Sequence, residues 1–159
     1  MKKLISTLFA ISFIGAASIA LADVTANTPG ASCVAASGTL INGTAGESAN
    51  LSASAATAVC PIDRSLGTTL STKVSATVWV LDENTTQNVC CTLNSKNPGG
   101  ALVSSPQVCS SGSSGGYQSI PLAQITDPYT YSHFYISCSV PGTDSGLASK
   151  ILTYRSVQN

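Results

Sequence analysis

From Lys73 to Leu81 apolar and polar residues alternate, placing Val74, Ala76, Val78 and Val80 on one face of an extended segment rich in β-branched side chains. The same two-residue period puts Ser132, Phe134, Ile136, Cys138 and Val140 on one face of Tyr131 to Val140, a run that stops at Pro141-Gly142. A closing strand is predicted from Lys150 to about Val157. Weaker strand patterns cover Thr39 to Ile41, Ala53 to Ile62, Gln87 to Leu93 and Gln118 to Ile125. Pro121 lacks an N–H and confines the last of these to an edge or a bulge. No sustained helical period and no internal repeat follows residue 22. Short strands separated by Gly, Pro, Ser and Asn predict an all-β fold, a single antiparallel β-sandwich or jelly-roll-like domain over 38–159. An irregular lead-in over 23–37, turned at Pro29-Gly30 and pinned by Cys33, precedes it.

The first 22 residues have another character. A short basic start, Met1-Lys2-Lys3, leads into a mostly apolar run that ends in Ala20-Leu21-Ala22, the small-x-small ending of a removable signal peptide. A membrane anchor is disfavoured because Ser6, Thr7, Ser12, Gly15 and Ser18 dilute the run. The remaining 137 residues predict an exported chain, periplasmic or extracellular, with no membrane segment after cleavage. They hold five Lys or Arg against seven Asp or Glu, which argues against a nucleic-acid partner. Ser and Thr number 38 and the large apolar residues only 34, so the core is thin for the chain length.

All six cysteines, Cys33, Cys60, Cys90, Cys91, Cys109 and Cys138, follow the signal segment. An even number in an oxidising compartment predicts up to three disulfides, with fifteen connectivities open. Adjacent Cys90 and Cys91 face opposite ways on a strand, so each needs a different partner. The expected pairing is Cys91 to Cys109 across the intervening loop, Cys60 to Cys138 between strands, and Cys33 to Cys90. Zinc is disfavoured, since there is no C-x-x-C and His133 is the sole imidazole. Neither a metal nor a cofactor is expected.

Val59-Cys60-Pro61-Ile62, Cys91-Thr92-Leu93, Cys138-Ser139-Val140-Pro141 and the closing Ser149-Lys150-Ile151-Leu152-Thr153-Tyr154 resemble the pattern of a group of short, exported, disulfide-containing bacterial β proteins. The likeness covers most of the chain after residue 22. It implies a disulfide-braced β domain, and no activity is assigned to that group.

Catalytic motifs are sparse. Gly112-Ser113-Ser114-Gly115-Gly116 has the G-x-S-x-G spacing of a nucleophile elbow, but it lies in the Ser/Gly-rich stretch 110–116, read as a mobile loop, with an extended segment rather than a helix after it. Glu47, Asp63, Asp82, Glu83, Asp127 and Asp144 are the carboxylates available to a glycosidase pair, and most adjoin turn residues. Asp82-Glu83-Asn84 offers clustered oxygens to a calcium ion, although a solvated turn explains it more simply. The strongest surface signal is a stripe of Tyr131, His133 and Tyr135 opposite Phe134 and Ile136, with Tyr129 just before it. Tyrosines with flat faces and hydroxyl handles suit a sugar ring or a surface protein, whereas a sheet merely covered by tyrosines is the structural reading. Trp79 joins this stripe only if its strand lies nearby. The expectation is an exported, non-catalytic β-sandwich that binds a glycan or a surface partner. The alternative is a fimbrial or extracellular-matrix subunit, supported by size, low charge and the alternating last strand. Tyr154, five residues from the end with Gln158 penultimate, departs from the usual pilin ending.

Overall fold

In the computed structural model, which describes residues 23–64, 72–129 and 131–159, the predicted alternation of Lys73 to Leu81 is realised. Val74, Ala76, Val78 and Val80 are buried and the residues between them half-buried. Twelve strands form in chain order: β1 (Val24–Pro29), β2 (Val34–Ser37), β3 (Ile41–Asn42), β4 (Ser48–Ala49), β5 (Ala56–Ile62), β6 (Lys73–Leu81), β7 (Cys90–Lys96), β8 (Leu102–Ser104), β9 (Val108–Cys109), β10 (Tyr117–Thr126), β11 (His133–Val140) and β12 (Lys150–Gln158). They build two antiparallel six-stranded sheets. Sheet A runs β10-β6-β12-β4-β3, with β1 extending the β4 edge of β12. Sheet B runs β2-β5-β11-β7-β8, with β9 beside β8 along β7. From β4 onward the chain changes sheet at nearly every connection, so consecutive strands face one another across the core, as in a jelly roll. Residues 1–22, read from the sequence as a signal peptide, lie outside the described residues.

The lead-in 23–37 departs from the expectation of an irregular segment. β1 pairs with β12 in sheet A and β2 with β5 in sheet B, so the lead-in closes one edge of each sheet. Its small and polar residues lie at these exposed edges, where no period-two burial is written into the sequence. The crossing between sheets is a single 3-10 turn, Gly30–Ser32. A Cβ on Gly30 would stand 2.0 Å from the Ile151 carbonyl oxygen, so glycine is needed where the chain passes over β12. β10 is an edge strand with an irregularity between Leu122 and Ile125, and Pro121 sits on it as expected. β12, by contrast, is paired along both edges by strands of its own chain and is not open to a neighbour's strand.

Cys33 bonds Cys60, Cys90 bonds Cys109 and Cys91 bonds Cys138. All three expected pairs are therefore corrected, and register explains each. Cys138 faces Ala58 on β5 and Cys91 on β7, which leaves Cys60 two residues off along the diagonal. Cys109 stands across from Cys90 while Val108 takes the place opposite Cys91. Cys33 precedes β2, which pairs with β5 at the far edge of the sheet from β7. Every bridge thus joins neighbouring segments of sheet B, with Cα separations of 4.0, 4.0 and 4.1 Å, as directly opposed positions require. Cys33–Cys60 and Cys91–Cys138 face the core, and Cys90–Cys109 lies on the outer face.

Across the core, Tyr154 of sheet A reaches sheet B and donates its hydroxyl to the Pro61 carbonyl at 2.6 Å. Burial pushes its pKa up to about 12, so it stays a neutral donor. Asp82, read from the sequence as part of a solvated turn, is fully buried. Its oxygens accept from the hydroxyls of Ser110 and Ser149 and from the amides of Asn84 and Val89, tying together the segments that leave β6, enter β7, follow β9 and enter β12. Asn84 donates to the Gly142 carbonyl and caps Thr86 and Gln87, so this turn is an internal fastening of the sandwich.

Replacing both Cys91 and Cys138 by Ala removes the bridge spanning 47 residues and should lower unfolding free energy by about 2 to 4 kcal/mol. Urea denaturation of the oxidised variant beside the wild type measures this, and a loss under about 0.5 kcal/mol would contradict the bracing role.

Candidate functional site

The outer face of sheet B is set by register. Across β5, β11 and β7, Pro61, Tyr135 and Asn94 form one row, Val59, Ser137 and Thr92 the next, and Thr57, Ser139 and Cys90 the last. His133 and Lys96 stand opposite each other at the near end. β11 alternates as predicted, with Phe134, Ile136, Cys138 and Val140 inward, so His133, Tyr135, Ser137 and Ser139 must point out. The His133 and Tyr135 rings stack with centroids 5.7 Å apart and 25° between planes.

Around these rings lies a groove of about 670 Å³ lined by Val59, Pro61, Asp63, Arg64, Lys96, His133 and Tyr135, among others. A second hollow of about 350 Å³ shares Tyr135 and continues over Thr57, Thr92, Asn94, Gln107, Ser137 and Ser139. The two make one trough along β11, aromatic and charged at the His133 end and neutral polar at the other. From His133 to Ser139 it covers about 20 Å of strand. The Cys90–Cys109 bridge closes its polar end and holds β9, and with it the adjacent Gln107, against β7.

Of the predicted stripe, His133 and Tyr135 line the groove. Tyr129 and Tyr131 are highly exposed, 60% and 82%, but precede the strand and do not line it. The loop that carries them is fastened from below. Arg64 donates to the carbonyls of Tyr129 at 2.6 Å and Ser132 at 3.1 Å, and its guanidinium lies 5.4 Å from the centre of the Phe134 ring. Buried Asp127 accepts from the Ser95 hydroxyl at 2.7 Å and the Tyr129 amide at 3.0 Å. Burial works to raise the Asp127 pKa, but these hydrogen bonds and the charge of Arg64 outweigh it and hold the carboxyl below its ordinary 3.8.

No binding signal in the sequence marks Pro61, Val59, Lys96, Asn94 or Gln107, and only the pairing of β5, β7 and β9 with their neighbours brings them to Tyr135. Trp79 belongs to the opposite sheet, where it shares a shallower hollow of about 380 Å³ with Asn27, Tyr117 and Thr153, so it does not join the stripe.

The candidate carboxylates divide between the two ends of the sandwich, Asp63 and Asp127 at one and Asp82, Glu83 and Asp144 at the other. Asp82 and Asp127 sit at opposite ends of β6, about 30 Å apart for nine residues, far beyond the separation a glycosidase pair requires. Asp144 accepts from Thr85 and Ser145, and Glu47 pairs with Lys150 at 3.7 Å. Asp63 and Glu83 follow the ends of β5 and β6 and lie at opposite ends of the sandwich. Ser114 donates to the Gly116 carbonyl in a loop braced by Gln118, and β10 rather than a helix follows it. The brace of Gln118 onto Ser111, Gly112 and Ser114 gives this loop more internal bonding than its composition suggests.

No protein-family model and no curated protein sequence matches the chain. Among solved structures it is similar to a carbohydrate-binding module domain, CBM36-1, of a multidomain xylanase from the hindgut metagenome of Trinervitermes trinervoides, at 13% identity and TM-score 0.46 over 86% of this chain and 98% of that one. It is also similar to a family 6 carbohydrate-binding module, at 16% identity and TM-score 0.43 over 81% and 90%. A family two carbohydrate esterase from Cellvibrio japonicus matches at 9% identity and TM-score 0.47 over 87% of this chain, which spans about a third, 35%, of the esterase. The sandwich assignment itself rests on the strand pairing.

Because the folded-state pKa of Asp127 is depressed, its contribution to stability is fully present above about pH 4 and is lost as pH falls through the folded value. Thermal melts from pH 6 down to pH 2 should therefore fall more steeply for the wild type than for Asp127→Asn. Parallel curves for the two proteins would contradict the assignment.

Proposed function

We propose that the protein is exported through its removable N-terminal segment and acts without catalysis, binding a glycan in the trough on the outer face of sheet B. The observation that carries this reading is Tyr135, a half-exposed ring stacked on His133, framed by Pro61 and Asn94 and joining an aromatic hollow to a polar one. A pyranose offers a flat apolar face and a rim of hydroxyls. An exposed ring beside Ser, Thr, Asn and Gln side chains meets both needs at once. The three disulfides suit an oxidising compartment, in line with export. The commitment of Asp82, Asp127, Asp144 and Glu47 to partners within the chain supports a binding role over hydrolysis.

Tyr135→Ala should keep the wild-type melting behaviour, because the ring lies on the outer face, yet weaken retention on a bound polysaccharide by about tenfold or more. Trp79→Ala, on the other sheet, should bind as the wild type does. Affinity electrophoresis through gels containing a panel of plant, algal and bacterial polysaccharides measures both. Loss of retention in Trp79→Ala with none in Tyr135→Ala would overturn the choice of face.

A further inference from the structure

Building on the glycan-binding reading, we propose that the ligand is an anionic linear polysaccharide, with a carboxylate or sulfate group held by Lys96 at the His133 end of the trough. The chain after residue 22 has more acidic than basic residues, yet two of its five Lys or Arg, Arg64 and Lys96, and its sole histidine line this one groove. Asp63 is the one carboxylate among the lining residues. The two cations have different duties. Arg64 is bound to the Tyr129 and Ser132 carbonyls, rests on Phe134 and feels the charge of Asp127, so it shapes the wall. Lys96 ends β7 directly across from His133, is exposed, and makes no ion pair among the described residues. A lysine that makes no ion pair among the described residues, beside a stacked aromatic pair, is arranged for an anionic substituent on a ring lying against Tyr135.

The remainder of the trough narrows the ligand further. Beyond Tyr135 its lining is uncharged, with Thr57, Thr92, Asn94, Gln107 and Ser139 along the walls. Such surface, about 13 Å long from Tyr135 to Ser139, suits the hydroxyls of successive sugar rings rather than a single sugar or a small anion. Charge confined to one end also gives the bound chain a direction.

Titration calorimetry of the processed protein with polygalacturonate, dextran sulfate and neutral dextran tests this. Either polyanion should bind at least about tenfold more tightly than dextran, and the tighter of the two identifies the carboxylate or the sulfate as the anionic group. Raising salt from about 20 mM to about 500 mM should weaken that binding severalfold. Lys96→Gln should weaken it about fivefold, Asp63→Asn should strengthen it, and Tyr135→Ala should weaken it whichever polyanion is used. Neutral glycans that bind through Tyr135 with no effect of salt or of Lys96→Gln would overturn the anionic ligand while leaving the glycan reading intact. Polyanion binding that depends on Lys96 but not on Tyr135 would reveal simple charge attraction and overturn the proposal. Failure of anionic and neutral glycans alike, across the wider polysaccharide panel too, would overturn both readings.

Discussion

Three disulfides, each joining residues that stand opposite one another on adjacent segments, stitch sheet B from β2 through β5 and from β11 through β7 to β9. Sheet A has no covalent bond of this kind among the described residues and depends on hydrogen-bonded pairing and on the buried side chains of β6, β10 and β12. The buried side chains of the whole core are mostly small or β-branched, with Tyr154 and Phe134 the largest fully buried residues. A core of this kind gains limited energy from burial, and cross-linking offsets that by restricting the unfolded chain. The cross-links lie in the sheet that carries the trough. Within each stitched group, β2 with β5 and β11 with β7 and β9, the strands keep a fixed relation, while β5 and β11 are joined by hydrogen-bonded pairing alone.

The polar fastenings divide between the two ends of the sandwich. At one end Asp82 gathers the starts and ends of several strands around a single carboxylate. At the other, Asp127 and Arg64 hold the segment that leads into β11 and thereby set where His133 and Tyr135 emerge. The outer face between these ends is left to Tyr135, Pro61, Val59 and uncharged polar side chains.

The strands with strict alternation were legible because one face of each is buried against the opposite sheet, so period two is written directly into β6 and β11. β1 and β2 were not, since small and polar residues at exposed edges carry no such signal. The cysteine pairing was hidden for a different reason. A one-residue change of register decides whether Cys109 meets Cys90 or Cys91, and register depends on how distant segments align. The parity argument that Cys90 and Cys91 need separate partners did survive, because it depends only on the local strand. In the same way, the stripe on β11 was visible as a local pattern, whereas Pro61, Lys96 and Gln107 reached it only through pairing with β5, β7 and β9.

On the proposed reading, the disulfide-stitched face of sheet B is the binding face. Amide chemical-shift mapping of the isotope-labelled, oxidised protein during titration with polygalacturonate oligosaccharides tests it most directly. Shifts should concentrate on 59–64, 92–96 and 133–139, with the amides around Trp79 and Tyr117 unmoved. Shifts centred on Trp79 and Tyr117, or spread evenly over both sheets, would contradict it.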